Sequence, residues 1–188
     1  MKKTLLYFVM MTGFISVSQA QKGTILVYGI AGVHTEKKPN DDKTTTFNFY
    51  PGVGYQFAEK WTAGVTGGYG HEKFDPTTGN DIKSTTYKAG GFARYTHVFN
   101  SIFSLYGQGD FYYHGTKVEE VKSNGLGISV TPSVGINVSK GFMLNISFGG
   151  ISYENIKIKD ASDGTNTFGL NFGQEIGIGF SKNFGRKK

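Results

Sequence analysis

The chain has no cysteine, four prolines and one tryptophan in 188 residues, and only 18% of its positions are charged. Without cysteine there is no disulfide framework and no thiolate to ligate a metal or attack a substrate. So few prolines exclude a proline-rich linker, and the charged share falls below the ~25% of ordinary soluble domains. A long apolar run is missing as well. The longest, residues 5–17, is interrupted by Thr12, Gly13 and Ser16 and falls short of the ~20 apolar residues a membrane-spanning helix needs. What is abundant is glycine, at 28 residues, together with 16 Phe and 11 Tyr. That aromatic content argues against disorder, and the length suits one domain.

The first twenty residues have the three-part layout of an export signal. Lys2 and Lys3 precede the apolar run, and Ser18-Gln19-Ala20 closes it with small residues. Residues 1–20 are therefore expected to be a cleaved signal peptide, and residues 21–188 a single barrel domain. Removing Lys2 and Lys3 leaves 18 basic against 14 acidic residues, a net charge of +4.

Beyond Gln21 the recurrent pattern is alternation of period two, the signature of strands. Phe47, Phe49, Val53, Tyr55 and Phe57 share one phase; Asn48, Tyr50, Gly52, Gly54 and Gln56 share the other. The same reading separates Trp61, Ala63, Val65 and Tyr69 from Thr62, Gly64, Thr66 and Gly68. It also separates Phe103, Leu105, Phe111 and Tyr113 from Ser104, Tyr106, Gln108, Asp110, Tyr112 and His114. Eight such runs of about ten to fifteen residues are expected, long enough for the ~9–11 residues of a tilted bilayer-crossing strand. Short turns at 58–60, 99–101 and 139–141 alternate with longer polar stretches at 35–43, 72–83, 115–123 and 155–167. An even number of strands with turns on one rim and loops on the other is the layout of a bacterial outer-membrane barrel. The fold class expected is all-β: a closed, eight-stranded, antiparallel, up-and-down transmembrane barrel.

Alternation does not say which face points inward, so a soluble eight-stranded ligand carrier is the competing architecture. The polar phase is mostly Gly, Ser, Thr and Asn rather than charge, which suits a crowded lumen better than a solvated exterior. Tyr55, Phe57, Trp61, Tyr95, Phe103, Phe142 and Phe184 cluster near the short-turn ends, where an interfacial aromatic girdle belongs. With the polar phase inward, Lys88, Arg94, Asp110 and Glu175 enter the lumen, and buried charges must pair. A network of Arg94 and Lys88 with Asp110 and Glu175 is expected, in a barrel too narrow for an open pore.

Several runs resemble the small outer-membrane β-barrel family, of the OmpA/OmpX-like group within the porin superfamily. They are Lys22-Gly23-Thr24-Ile25-Leu26, Tyr50-Pro51-Gly52-Val53-Gly54-Tyr55, Trp61-Thr62-Ala63-Gly64-Val65, Gly91-Phe92-Ala93-Arg94-Tyr95 and Gly149-Gly150-Ile151-Ser152-Tyr153. The resemblance implies the fold and the outer membrane, not a catalytic signature. The chain departs from many members by continuing past Phe184 with Gly185-Arg186-Lys187-Lys188.

The expected role is structural or surface-interactive, in a monomer with no cofactor, no metal and no nucleic-acid partner. Expected partners are outer-membrane lipids including lipopolysaccharide, met by the lysines of the long-loop rim, and the barrel-assembly machinery during insertion. Long loops are expected outside the cell, short turns and the carboxyl end in the periplasm. A lipid-modifying enzyme is the alternative from another class. His71-Glu72 and His114 are its residues, though no Ser stands at strand-neighbour spacing from a histidine.

Overall fold

The computed structural model describes residues 22–38, 42–159 and 164–185, so the expected signal peptide lies outside the described residues. Eight strands form: β1 (Ile25–Lys37), β2 (Lys43–Gln56), β3 (Trp61–Asp75), β4 (Ile82–Val98), β5 (Phe103–Val118), β6 (Val121–Ser139), β7 (Phe142–Ile158) and β8 (Gly164–Phe184). Each pairs antiparallel with its sequence neighbour, and β8 returns to β1 to close a barrel. The soluble-carrier architecture is thereby set aside, because the apolar phase points outward: Val65, Phe111, Leu126, Val130 and Leu170 are all exposed on the outer face. Only lipid accommodates such a surface.

The strands are longer than the alternation suggested, running from 13 residues in β1 to 21 in β8. The stretches expected as long loops are largely ladder. At 115–123 there is no loop at all, since Val118 pairs with Val121 across a two-residue hairpin in which Glu119 takes φ 53°. Threonine and lysine carry the pairing upward here, and β-branched Thr favours it. The barrel wall therefore rises well past what the bilayer requires.

Inside, aromatic side chains lie across glycines. Tyr28 is registered with Gly52 and Tyr112 with Gly127, and a side chain on either glycine would run into the facing ring. Gly68 likewise leaves room for Tyr50, and Gly54 and Gly64 for Phe92. Alternation of large and small residues is how a narrow barrel fills its lumen. The two strand prolines fit the same economy. Pro51 lies where the β2–β3 register skips from Phe49↔Tyr69 to Gly52↔Thr66, and Pro132 at the β6–β7 irregularity between Val130 and Ser133, so neither has to donate to a regular ladder there.

One feature of β7 changes the lumen. Asn145 and Ser147 face inward below a bulge between Ser147 and Gly149, whose φ is +83°. The extra residue reverses the phase. Above it the even positions face inward, which puts Glu154 in the barrel while Tyr153 points out.

Candidate functional site

Two regions bring functional groups together, the middle of the lumen and the outer face of the long-strand rim. In the lumen, β4 and β5 supply Arg94, Gln108 and Asp110 from their inward phase. Arg94 is 6% exposed. Its Nε and Nη2 donate to Gln108 Oε1 at 2.9 and 2.6 Å. The guanidinium also stacks over Tyr106, 4.2 Å from the ring centroid, and over Tyr28 at 4.9 Å. Gln108 Nε2 in turn donates to both Asp110 oxygens, at 2.9 and 3.2 Å, and to Tyr28 Oη at 3.1 Å.

The expected contact of Arg94 with Asp110 is therefore relayed through Gln108 rather than made directly. The amide satisfies both charges at once, its oxygen to the cation and its nitrogen to the anion, which removes the cost of isolating either. Lys88 does not join this group. It lies 3.9 Å from Glu154 Oε1 and over the Tyr112 ring at 4.6 Å, and Tyr112 Oη donates to the same Glu154 oxygen at 2.8 Å. Glu154 was not legible as a luminal residue because the β7 bulge is what turns it inward. The Glu175 side chain lies outside the described residues.

Two cavities flank the Arg94 level. One, of about 270 Å³, is lined by Tyr50, Lys88, Asp110 and Tyr112. The other, of about 440 Å³, opens among Gln56, Thr96, Asn137 and Met143 toward the short turns. Arg94, Tyr106 and Asn145 border both and form the partition between them. Asn145 Nδ2 donates to Ser181 Oγ at 2.9 Å, tying that level to β8.

The residues expected to form the girdle all stand exposed on the outer face: Tyr55, Phe57, Trp61, Tyr95, Phe103, Phe142 and Phe184. Trp61 meets Tyr95 edge-on at 5.1 Å, and Phe142 stacks on Phe180 at 5.6 Å. A second aromatic row, Phe47, Tyr69 and Tyr87, crosses β2 to β4 nearer the other rim.

Above that row stands a collar of lysines. On β2 to β7, Lys43, Lys73, Lys83, Lys117, Lys122 and Lys157 each lie four residues beyond an outward Phe47, Tyr69, Tyr87, Tyr113, Leu126 or Tyr153. Four residues keep the same face of a strand. Three hairpins then set lysine opposite lysine, as Lys37↔Lys43, Lys73↔Lys83 and Lys117↔Lys122. Like charges directly opposed are unfavourable. The Lys73–Lys83 pair is relieved within the chain, because Lys73 Nζ meets Asp75 at 2.5 Å and Asp81 at 2.9 Å. Those bonds, beyond the hydrocarbon, raise the Lys73 ammonium above its usual 10.5, with Asp75 the larger cause, and hold Asp81 below the usual carboxylate value of 3.8.

The histidines are dispersed. His71 Nδ1 lies 3.3 Å from Thr85 Oγ1, while the neighbouring Glu72 accepts from Thr46 at 3.2 Å and so does not orient the imidazole. His114 faces the lumen, its Nε2 buried without a protein partner. Among the described residues no group of three His, Asp or Glu is placed to hold a metal ion.

No curated protein matches the chain. Among solved structures it is similar to Neisserial surface protein A, with 14% identity, 87% of this chain and 98% of that chain covered, and a TM-score of 0.51. At that identity the likeness is one of fold. It is also similar to the translocator domain of autotransporter NalP from Neisseria meningitidis, at 17% identity and TM-score 0.46, covering 88% of this chain and 66% of that domain. The Yersinia pestis outer membrane protein Ail is similar at 18% identity and TM-score 0.38, with 87% and 100% covered. A family description, the autotransporter beta-domain, matches residues 27–175, which is most of the barrel just described. With its apolar exterior, closed eight-stranded wall and polar lumen, the chain belongs to the autotransporter beta-domain family and has the fold of an outer-membrane β-barrel.

Proposed function

We propose that the chain is a monomeric surface barrel of the bacterial outer membrane, grouped with the small OmpA/OmpX-like proteins, whose lysine collar holds anionic phosphates of the outer leaflet. Lipopolysaccharide is the ligand that fits. The observation that carries this reading is the fixed spacing of lysine above the outward aromatic or leucine on six adjacent strands. Four residues rise ~13 Å along a strand, which at a ~45° tilt is ~9 Å toward the outside, enough to carry the ammonium through a headgroup layer of ~5–7 Å to its outer edge. The lysines thus meet phosphate where the apolar surface ends. Lys117 and Lys122, opposed across the β5–β6 hairpin, become a two-pronged clamp when an anion lies between them.

In this reading the lysine rim faces out of the cell and the short turns and carboxyl end face the periplasm, with insertion through the barrel-assembly machinery. The Arg94 partition argues for a plugged lumen rather than an open pore. A catalytic role is not proposed: among the described residues Glu72 accepts from Thr46 rather than orienting His71, and His114 lies buried in the lumen.

The test compares vesicles containing phosphorylated or dephosphorylated lipopolysaccharide. Phosphorylated lipid is expected to raise the temperature at which the folded band converts on a gel, and added salt to reduce the rise. At ~1 kcal/mol per lysine near an anionic surface, K117Q/K122Q/K157Q, which removes three of the six collar lysines, is expected to remove about half of it. Equal protection by both lipids, or full protection of the triple variant, overturns the reading.

A further inference from the structure

The barrel closes unevenly. The β5–β6 ladder is registered from Phe103↔Ile136 to Val118↔Val121, but β1 and β8 are registered only from Ile25↔Phe184 to Gly29↔Phe180. Continued, the register would join Ile30 to Gly179, Ala31 to Ile178 and Gly32 to Gly177; these pairs do not form. Along residues 30–33 of β1 the ladder runs to β2 alone. Ile30 still lies against Gly179, and the strands part above it. No heavy atom lies within 4 Å of where a side chain on Gly32 would begin, and residues 30–37 of β1 are exposed in both phases. On β2 at the same height the inward positions 44, 46 and 48 are half-buried.

The height of this gap matters. Ile25 is registered with girdle residues Tyr55 and Phe184, and a span takes ~9–11 residues from that level. The seam therefore parts less than halfway up the hydrocarbon. Unpaired backbone survives at such depth only where it lines a polar cavity. The cavity is there: the 270 Å³ space beside Lys88, Arg94 and Asp110 is also lined by Gly29, Ile30, Gly179 and Phe180, the residues at which the ladder ends. Gly29 and Phe180 are the last registered pair, so the cavity reaches the foot of the parted seam.

We infer that the β1–β8 seam is a lateral portal at which one membrane amphiphile seats an anionic head in the lumen and leaves its acyl chain in the bilayer. The cavity supplies the head site: Lys88, held to Glu154 only at 3.9 Å, leaves an ammonium free to take an anion, beside Arg94, Asp110 and the hydroxyls of Tyr28 and Tyr50. The N–H and C=O of Ala31, which face β8 and have no registered partner there, add a donor and an acceptor at the neck. Outside, Phe180, Ile178, Phe172 and Leu170 present an exposed apolar strip along β8 for the chain. A neutral alkane would leave the polar neck unsatisfied, and a free phosphate would leave the strip unused. The site is separate from the lysine collar, which lies at the headgroup layer.

Native mass spectrometry of the wild-type protein, extracted from vesicles of mixed phosphatidylglycerol and phosphatidylcholine, is expected to show one retained phosphatidylglycerol and no phosphatidylcholine. A single-tryptophan variant, W61F/I30W, adds a positional readout. Its fluorescence is expected to be quenched severalfold more by chain-brominated phosphatidylglycerol than by brominated phosphatidylcholine, and brominated oleate separates a carboxylate head from a phosphate one. A31C/I178C, oxidised, would close the seam and abolish both signals; reduction would restore them. The collar variant K117Q/K122Q/K157Q is expected to keep the adduct, which distinguishes failure here from failure of the collar. Absence of an adduct on the wild type, equal quenching by both phospholipids, or quenching unchanged by the disulfide refutes the portal.

Discussion

Replacing Arg94 by alanine is the sharpest probe of the lumen. The side chain donates two hydrogen bonds to Gln108 Oε1, at 2.9 and 2.6 Å, and is 6% exposed. Hydrogen bonds involving a charged group contribute ~1.5–3 kcal/mol each, and breaking a buried charge network costs ~3–5 kcal/mol. The loss is not the full sum, because Gln108 keeps its bonds to Asp110 and Tyr28. Arg94→Ala is thus expected to cost ~3–4 kcal/mol. Lys88→Ala is the control within the same lumen. Its 3.9 Å pair with Glu154 joins side chains 33% and 25% exposed, so solvent screening limits the loss to ~1 kcal/mol or less. Arg94→Lys is expected to fall between wild type and alanine, since an ammonium keeps the charge but not the fork on Gln108. Urea unfolding of vesicle-inserted protein, followed by the fluorescence of Trp61 in the girdle, measures all three. At an m-value of roughly 2 kcal/mol/M, the alanine variant shifts the midpoint by ~1.5–2 M. A loss below ~1 kcal/mol for Arg94→Ala, or one equalled by Lys88→Ala, would show that the Arg94 relay does not hold the barrel together.

Glycine substitutions should divide by face. Gly64→Val drives a side chain toward the Val53 carbonyl and the Phe92 ring and is expected to cost at least ~1–3 kcal/mol, whereas Gly107→Ala on the lipid face meets nothing within 4 Å and should change the urea midpoint little. The Lys73–Asp75–Asp81 cluster sets a pH window for the β3–β4 rim. Asp81, held below 3.8, contributes fully above that value and loses its contribution as the pH falls through its folded value; Lys73, raised above 10.5, contributes below 10.5 and loses it as the pH rises further. Proteolysis of the rim hairpin is therefore expected to be slow and pH-independent from about 4 to 10, faster at either extreme; a steep change near pH 7 would refute this assignment.

Much of the barrel is legible in the chain because a strand's side-chain period is two. The alternation of Phe103, Leu105, Phe111 and Tyr113 with Tyr106, Gln108 and Asp110 already assigns which residues share a face, and turn composition marks the short-turn rim. The excess of glycine beside scarce charge forecasts a crowded interior, later seen as Tyr28 over Gly52 and Tyr112 over Gly127. The upper rim is less legible, since Thr, Lys and Glu suit an exposed ladder as well as a loop. Only register showed that Val118 and Val121 close a two-residue hairpin.

What the sequence determined by itself is the fold class and which residues share a face, because these follow from local periodicity, whereas periodicity left open which face turns inward. Tertiary structure alone decided how the luminal charges are satisfied. Gln108 reaches both Arg94 and Asp110 only once β4 and β5 are in register. Glu154 meets Lys88 only because the bulge at Gly149 reverses one strand. The lysine collar and the parted β1–β8 seam are likewise properties of register around a closed wall. A pattern read along one strand carries no information about the height at which its neighbour pairs.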